Sequence, residues 1–381
     1  VGDLSDTCVD VVVIGAGMAG VSAASHLATD LAVVVLEQEV QAGFHATGRS
    51  AALFSEVYGN RVVRALSRAS RPVLFGDDES FCTTPLARSR GSLWIGRRDQ
   101  VAALSAFAAL PDIAPATHEL DARETAALFP ILRADYAVRG LLEPSASDID
   151  VDALHQAYIR AFRRRGGRLI TDARVDALSR EGTRWRVRFG AESILADVVV
   201  NAAGAWADEV AALAGVQGVG IRPHRRTALL VDAPAARDID DWPMAIDIDE
   251  TFYIKPDAGR LLLSPADETP SPPCDAQPED WDVAVAVDRV QTATTLECRR
   301  IVAKWAGLRS FAPDRSPVVG YDETSPGFFW LAGQGGYGIQ TAPALARIAD
   351  SLVRHRGIPE DLGADVSSFD LSPSRPRHSA D

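Results

Sequence analysis

The sequence predicts an α/β fold: a Rossmann-like domain assembled from distant segments, with an α+β substrate domain built on an antiparallel sheet interleaved between them. Three observations predict it. Apolar runs end in a glycine-bearing turn followed by a helical stretch at three places far apart, after Ile14, Asn201 and Ala332, and that unit is the module of nucleotide-binding sheets. The stretches between, 90–143 and 222–298, instead mix short alternating strands with amphipathic helices. Finally, 381 residues at 47% hydrophobic content suffice for two cores. The expected division is 1–89, 144–221 and 299–381 for the nucleotide-binding domain, and 90–143 with 222–298 for the substrate domain.

Val11-Val12-Val13-Ile14 is a continuous apolar run of the kind found in strands covered on both faces. It leads into Gly15-Ala16-Gly17-Met18-Ala19-Gly20 and a helical stretch from Val21 to Ala28. In this GxGxxG, Gly15 permits the tight turn, Gly17 lets a pyrophosphate approach backbone N–H groups, and Gly20 lets the helix pack closely on the sheet. A second strand, Leu31 to Leu36, ends at Glu37, 17 residues beyond Gly20. An acid there accepts hydrogen bonds from the ribose hydroxyls of an adenosine cofactor and repels a 2′-phosphate. Together these point to NAD or FAD, and the spacing leaves that choice open.

The next segment, Gly43 to Ala52, is small and polar, suited to backbone running along a flat cofactor. Asp197 to Asn201 is the second apolar run and turns at Ala202-Ala203-Gly204-Ala205-Trp206. In the second domain, Thr227 to Val231, Thr251 to Ile254 and Arg260 to Ser264 read as strands, Val283 to Leu296 as a helix, and the proline-rich 269–275 as a surface loop. The third run, Gly327 to Ala332, leads into Gly333-Gln334-Gly335-Gly336-Tyr337-Gly338 and a helix from Pro343 to Val353. The Ser-, Pro- and Arg-rich stretch 371–381 is expected to fray.

A net charge of −13 argues against a partner held by its phosphate backbone. Arginines outnumber lysines 37 to two, Lys255 and Lys304, which reads as coding bias. Cys8, Cys82, Cys274 and Cys298 are scattered, with no metal-ligand spacing and no disulfide framework. Asp3, Asp6 and Asp10 stand where a signal peptide would be basic, and the uncharged stretch 11–29 carries three glycines in its first half. A cytoplasmic protein without a membrane span is the expectation.

The stretches VVVIGAGMAG, GFHATGRSAA, DIDVDALHQAYIR, VVVNAAGAW, DWPMAIDIDETFYIKPDAG, KWAGLRSF and GFFWLAGQGGYGIQT, in this order from residue 11 to about 342, resemble the D-amino acid oxidase superfamily of flavoproteins. The resemblance is closest to its bacterial D-arginine and D-amino acid dehydrogenases. It implies noncovalent FAD in a split domain of the GR2/DAO type; no cysteine follows Cys298 to attach the flavin where some relatives do. It carries FAD contacts onto Gly15, Gly17, Met18, Ala19 and Gly20, onto Glu37 and Gln38, onto His45, Thr47, Arg49, Ser50 and Ala51, and onto Val175. Later contacts fall at Ala203, Gly204 and Trp206, at Gly307 and Arg309, and along Gly336, Tyr337, Gly338, Ile339, Gln340 and Thr341. By the same resemblance Arg226 and Arg309 hold the substrate carboxylate, Tyr58 and Tyr253 close over it, and the Gly336 carbonyl takes the amine.

The residues support these roles on their own chemistry. A carboxylate in a water-poor cavity needs a partner, and a planar guanidinium fork pairs with it bidentately. Arg309 follows Trp305-Ala306-Gly307-Leu308 and precedes Phe311, an apolar setting where a cation needs either a substrate carboxylate or a protein acid. On a strand Arg225 and Arg226 face opposite ways, and the resemblance selects Arg226. Tyr58, beside Gly59, and Tyr253, within Phe252-Tyr253-Ile254, fit ordinary packing as well as a polar tip on an apolar body. His45 reads as a structural neighbour of the cofactor; no side-chain base is required.

Two departures matter. The arginine-selective relatives face the cationic end of their substrate with a glutamate and a histidine, where this chain has Ser92 and Leu53. Losing such a carboxylate costs a basic substrate on the order of 2–5 kcal/mol. Leu53, Phe54, Trp94, Met244 and Ile246, with Ser55 beside them, form the expected pocket wall, and Glu56 is expected to be solvated. The expected activity is oxidative deamination of neutral or apolar D-amino acids to 2-oxo acids and ammonia, by hydride transfer from Cα to flavin N5, as a dehydrogenase or oxidase. The alternatives are a secondary-amine oxidase of glycine, sarcosine or imino acid type, a D-arginine dehydrogenase of broad specificity, and a flavin-bearing subunit without turnover. The electron acceptor, whether oxygen, quinone or another, is open; no metal is expected.

Overall fold

The computed structural model describes residues 7–76, 78–234 and 238–376; Asp3, Asp6 and the tail beyond 376 lie outside these. Thr7–Ile14 runs parallel between Val33–Leu36 and Glu192–Asn201. Phe328–Ala332 pairs in parallel with Val199 to Asn201, and Arg168–Ile170 adds to the far side of Val33–Leu36. These runs are apolar throughout because helices Met18–Leu27, Val151–Arg164 and Ala342–Val353 cover one face, while Trp185, Phe189 and the helix Ala207–Leu213 cover the other. The three predicted strand-turn-helix units are therefore neighbours in one sheet, and their glycine turns emerge together at its carboxyl end, where open α/β sheets bind ligands. The first helix begins at Met18 and not at Val21, because extended Gly17 is already its cap.

A second sheet runs in the order Gln334–Gly335, Ile301–Phe311, Arg222–Asp232, Arg260–Ser264, Tyr253–Asp257, Met244–Asp247, Ser92–Gly96, Arg139–Glu143 and His118–Asp121. Its pairs are antiparallel except Met244–Asp247 with Ser92–Gly96, where strands from the two inserted segments meet. Ile301–Phe311, which the sequence groups with the nucleotide-binding segments, pairs along Arg222–Val231 in this sheet. Its end also pairs with Gln334–Gly335, so one strand joins the sheet to the third glycine turn. Within the expected surface loop, Thr269–Pro270 pairs with His224 and Arg225. The expected fraying does not reach Arg375, which is 6% exposed and grips Asp314 with two hydrogen bonds of 2.6 and 2.9 Å. Among the described residues no helix is long and apolar enough to cross a membrane.

Candidate active site

The three turns enclose a cavity of about 330 Å3, lined by Glu37, Gln38 and Val175 from the first sheet and by Tyr253, Gly307 and Arg309 from the second. Glu37 is buried; its Oε2 accepts from Ala16 N at 2.8 Å and its Oε1 from Glu39 N at 3.0 Å. Each oxygen keeps a lone pair for a ribose hydroxyl. Thr47 Oγ1 accepts from Met18 N at 3.0 Å, which pins the segment 43–52 to the helix start. A Cβ on Gly15, at φ +104°, would sit 2.5 Å from the Ala202 oxygen, and one on Gly20 would overlap the Gly15 carbonyl. His155, which no local motif singles out, donates from Nε2 to Ala16 O at 2.9 Å, and burial holds its pKa below the ordinary value, so it supports the loop as a neutral ring.

Of the residues expected at the cofactor, Gly20, Tyr337 and Thr341 stand outside the cavity wall and Gln340 lines a smaller adjoining cavity; the others line the larger one. Gly20 serves helix packing, Tyr337 packs its ring on Tyr58 at 5.0 Å, and Thr341 turns its hydroxyl to Tyr337 O at 2.8 Å. His45 bonds Glu39 at 2.8 Å and lies against the Trp206 ring. Arg49 is engaged by the Ala276 and Ala306 carbonyls and by Asp275, so it ties the glycine-rich segment to the strand Ile301–Phe311 and to the chain at 275–276. Gln334, absent from the expected set, lines the cavity with a buried Nε2 that finds no hydrogen-bond acceptor among the described residues. That orphaned donor, the glycine cradle and the acid with spare lone pairs fit a flavin dinucleotide. When bound, FAD supplies the two-electron acceptor.

The floor follows from strand alternation. His224 faces Arg309 and Arg226 faces Gly307 across the pair, so Arg226 and Arg309 share one face. Met244, Ile246 and Tyr253 extend that face through their own pairings. Arg225 points the other way, to Asp282 at 2.9 Å and to Glu279. Arg226 Nε donates to Asp267 O at 2.8 Å and its Nη2 to Glu268 Oε1 at 3.1 Å. Arg309 differs: its Nη1 donates to the Tyr58 hydroxyl at 3.1 Å, and no ion-pair partner stands beside it among the described residues. Burial pushes the Tyr58 phenol above its ordinary pKa against the pull of Arg309, so it stays protonated.

The smaller cavity, of about 70 Å3, has Leu53, Ser55, Met244 and Ile246 in its wall, with Arg226, Arg309, Tyr58, Tyr253 and Gly336. Ser92 is not there. It is fully buried and donates to Glu143 Oε2 at 2.9 Å, because the adjacent strand sets Glu143 directly opposite it. Phe54 and Trp94 also sit behind the wall, packed on Phe75 and Phe107 at 5.0 Å each. Glu56 is not solvated but pairs with Arg71 at 3.2 Å. Two acids escaped the sequence reading. Glu250 lines the cavity from a turn at φ +53° and accepts from the Tyr58 hydroxyl at 3.3 Å. Its one sequence signal is the acidic run Asp247-Ile248-Asp249-Glu250 between two floor strands.

Glu143 is the other. Burial pushes its carboxyl up, hydrogen bonds from Ser55, the Glu56 amide and Ser92 oppose this, the Glu56 charge adds to it, and the net pKa lies above the ordinary value. The fold therefore favours the protonated form: that contribution is complete below about pH 4.3, the unfolded value, and is lost as pH rises through the higher folded one. Melting curves of the holoenzyme should show Glu143→Gln gaining on the parent protein across that window. A difference in Tm that stays flat with pH would show that ionising Glu143 costs nothing.

A model of the family described as FAD dependent oxidoreductase matches residues 10–352. Mitochondrial dimethylglycine dehydrogenase of Mus musculus is 25% identical over 267 residues, covering 65% of this chain and 30% of that protein; the chain thus spans less than a third of this relative. Among solved structures, L-proline dehydrogenase from P. horikoshii and glycine oxidase from Geobacillus kaustophilus each superpose with a TM-score of 0.84 at 20% identity, over 97% of this chain and 98% and 99% of theirs. At that identity they show the shared fold. With the family match extending from the first strand through the last glycine turn and its helix, the chain belongs to the FAD dependent oxidoreductases, and FAD is its cofactor.

Proposed function

We propose that the protein oxidises the C–N bond of a small amino acid of the glycine, sarcosine or cyclic imino acid kind. The observation that carries this reading is Arg309: a guanidinium deep in the molecule with no ion-pair partner among the described residues, on the wall of a cavity of about 70 Å3. A space of that size suits a compact substrate such as glycine, sarcosine or proline better than one carrying a long side chain. Leu53, Met244 and Ile246 suit an N-methyl group or ring methylenes. Relatives bearing the names glycine oxidase, L-proline dehydrogenase and dimethylglycine dehydrogenase support the same class over the larger D-amino acids.

In this reading Arg309, with Arg226 beside it, fixes the carboxylate, and the Gly336 carbonyl accepts from the amine. Tyr58 covers the bound substrate from its loop, Tyr253 lines the floor beside it, and together they keep water out. Bound FAD would supply the two-electron acceptor for the hydride lost from Cα; the neutral amine's lone pair would form the C=N bond, and water would then release the 2-oxo acid and its amine. Positioning supplies the rate, so no side-chain base is needed. A steady-state panel under air and with an artificial acceptor tests the assignment. Glycine, sarcosine or proline should exceed D-phenylalanine and D-arginine by about tenfold or more in kcat/KM, a margin typical of steric exclusion. A comparable lead for D-arginine or D-phenylalanine would overturn it.

A further inference from the structure

We infer that Glu143 is a positioning residue that sets Tyr58 over Arg309, an inference that rests on reading Arg309 as the carboxylate site. Glu143 ends the strand Arg139–Glu143 at the edge of the floor, opposite Ser92, which in turn faces Met244. Its side chain is fully buried, 0% exposed, and has no cation at ion-pair distance among the described residues. Oε2 accepts from Ser55 Oγ at 2.7 Å and from Ser92 Oγ at 2.9 Å, and Oε1 accepts from Glu56 N at 2.7 Å.

Two of these three donors belong to the segment that leads directly to Tyr58. The same segment is held from its other side by Gln340, whose Oε1 accepts from Ser55 N at 2.9 Å while its Nε2 donates to Ser67 at 2.8 Å. Ser55 Oγ also accepts from Val57 N at 3.3 Å. Between these anchors the chain has little freedom, and the Tyr58 ring arrives between Trp94 and Tyr337 with its hydroxyl on Arg309. A buried acid without a cation is an expensive way to fill space; an apolar side chain fills it at lower cost. What this acid provides is a fixed register between the floor and the loop carrying Tyr58. Glu143 itself lines neither cavity, so it acts through the segment it holds, which carries Tyr58.

The test uses the FAD-loaded protein and acetate as a carboxylate probe, followed by the change in the flavin absorption band. Glu143→Ala should weaken acetate binding about fivefold or more, and Glu143→Gln, which keeps an oxygen for Glu56 N, should recover part of that. In a Tyr58→Phe background the Glu143 substitutions should add less than about twofold, because residues acting as one unit are not additive. Ser55→Ala removes the Ser55 Oγ bonds to Glu143 and to Val57 N while leaving the acid in place, and should show the same dependence on Tyr58 should Glu143→Ala not fold. Acetate binding unchanged in Glu143→Ala and Ser55→Ala, or effects that multiply fully with Tyr58→Phe, would overturn the positioning role. If the parent protein shows no Arg309-dependent acetate binding, the carboxylate site itself fails, and the role of Glu143 with it.

Discussion

Arg309→Met is expected to fold, retain FAD and lose about a hundredfold or more in kcat/KM, since removing one partner of a desolvated charge pair costs on the order of 2–5 kcal/mol. Methionine preserves the apolar stem against its neighbours, and no protein acid is left stranded, because none pairs with Arg309 among the described residues. Arg309→Lys should recover only part of the loss, because an ammonium cannot hold both carboxylate oxygens in one plane. Arg226→Met should cost less. Its guanidinium already spends two nitrogens on the Asp267 carbonyl and on Glu268, and Glu268 keeps Arg315 at 2.9 and 3.1 Å when Arg226 is gone. Kinetics on protein of measured flavin content separate these cases, and an Arg309→Met variant with near-parental kcat/KM would remove Arg309 from the site.

Gly20→Val is expected to yield protein without flavin. A Cβ there would overlap the Gly15 carbonyl, and Gly15 is held in place, its N donating to Leu36 O of the neighbouring strand at 2.8 Å. The helix must therefore move away from the sheet, which takes its N-terminus off the pyrophosphate. Loss of a bound cofactor lowers apparent stability by mass action, so the purified variant should lack the visible flavin band and melt earlier than the holoprotein. Normal flavin content and Tm would show that the turn tolerates what its geometry forbids.

Much of the first domain was legible because its signals are local. A strand, a glycine turn and a helix sit side by side in sequence, and Glu37 follows at the distance that a single βαβ unit imposes. Parity along one strand also separated Arg225 from Arg226 correctly. What failed was information about partners. Ser92 looked like a pocket residue that had lost an acid, yet an acid stands opposite it at Glu143, supplied by a strand whose register no local pattern discloses. Nothing local in Ile301–Phe311 discloses that Arg222–Asp232 is its neighbour. Glu250 was missed because its place depends on a turn held by Asp247, which accepts from Thr251 Oγ1 at 2.8 Å and from Asp249 N at 3.2 Å.

The most direct measurement is anaerobic mixing of the holoenzyme with glycine, sarcosine, proline, D-phenylalanine and D-arginine in turn, following the visible flavin band in the parent protein and in Arg309→Met. The expected result is rapid bleaching by at least one of the three small amino acids, slow or absent bleaching by the two large ones, and loss of the rapid phase in Arg309→Met. Bleaching by D-arginine or D-phenylalanine alone, or equal bleaching with and without Arg309, would contradict a small-amino-acid site built on that guanidinium.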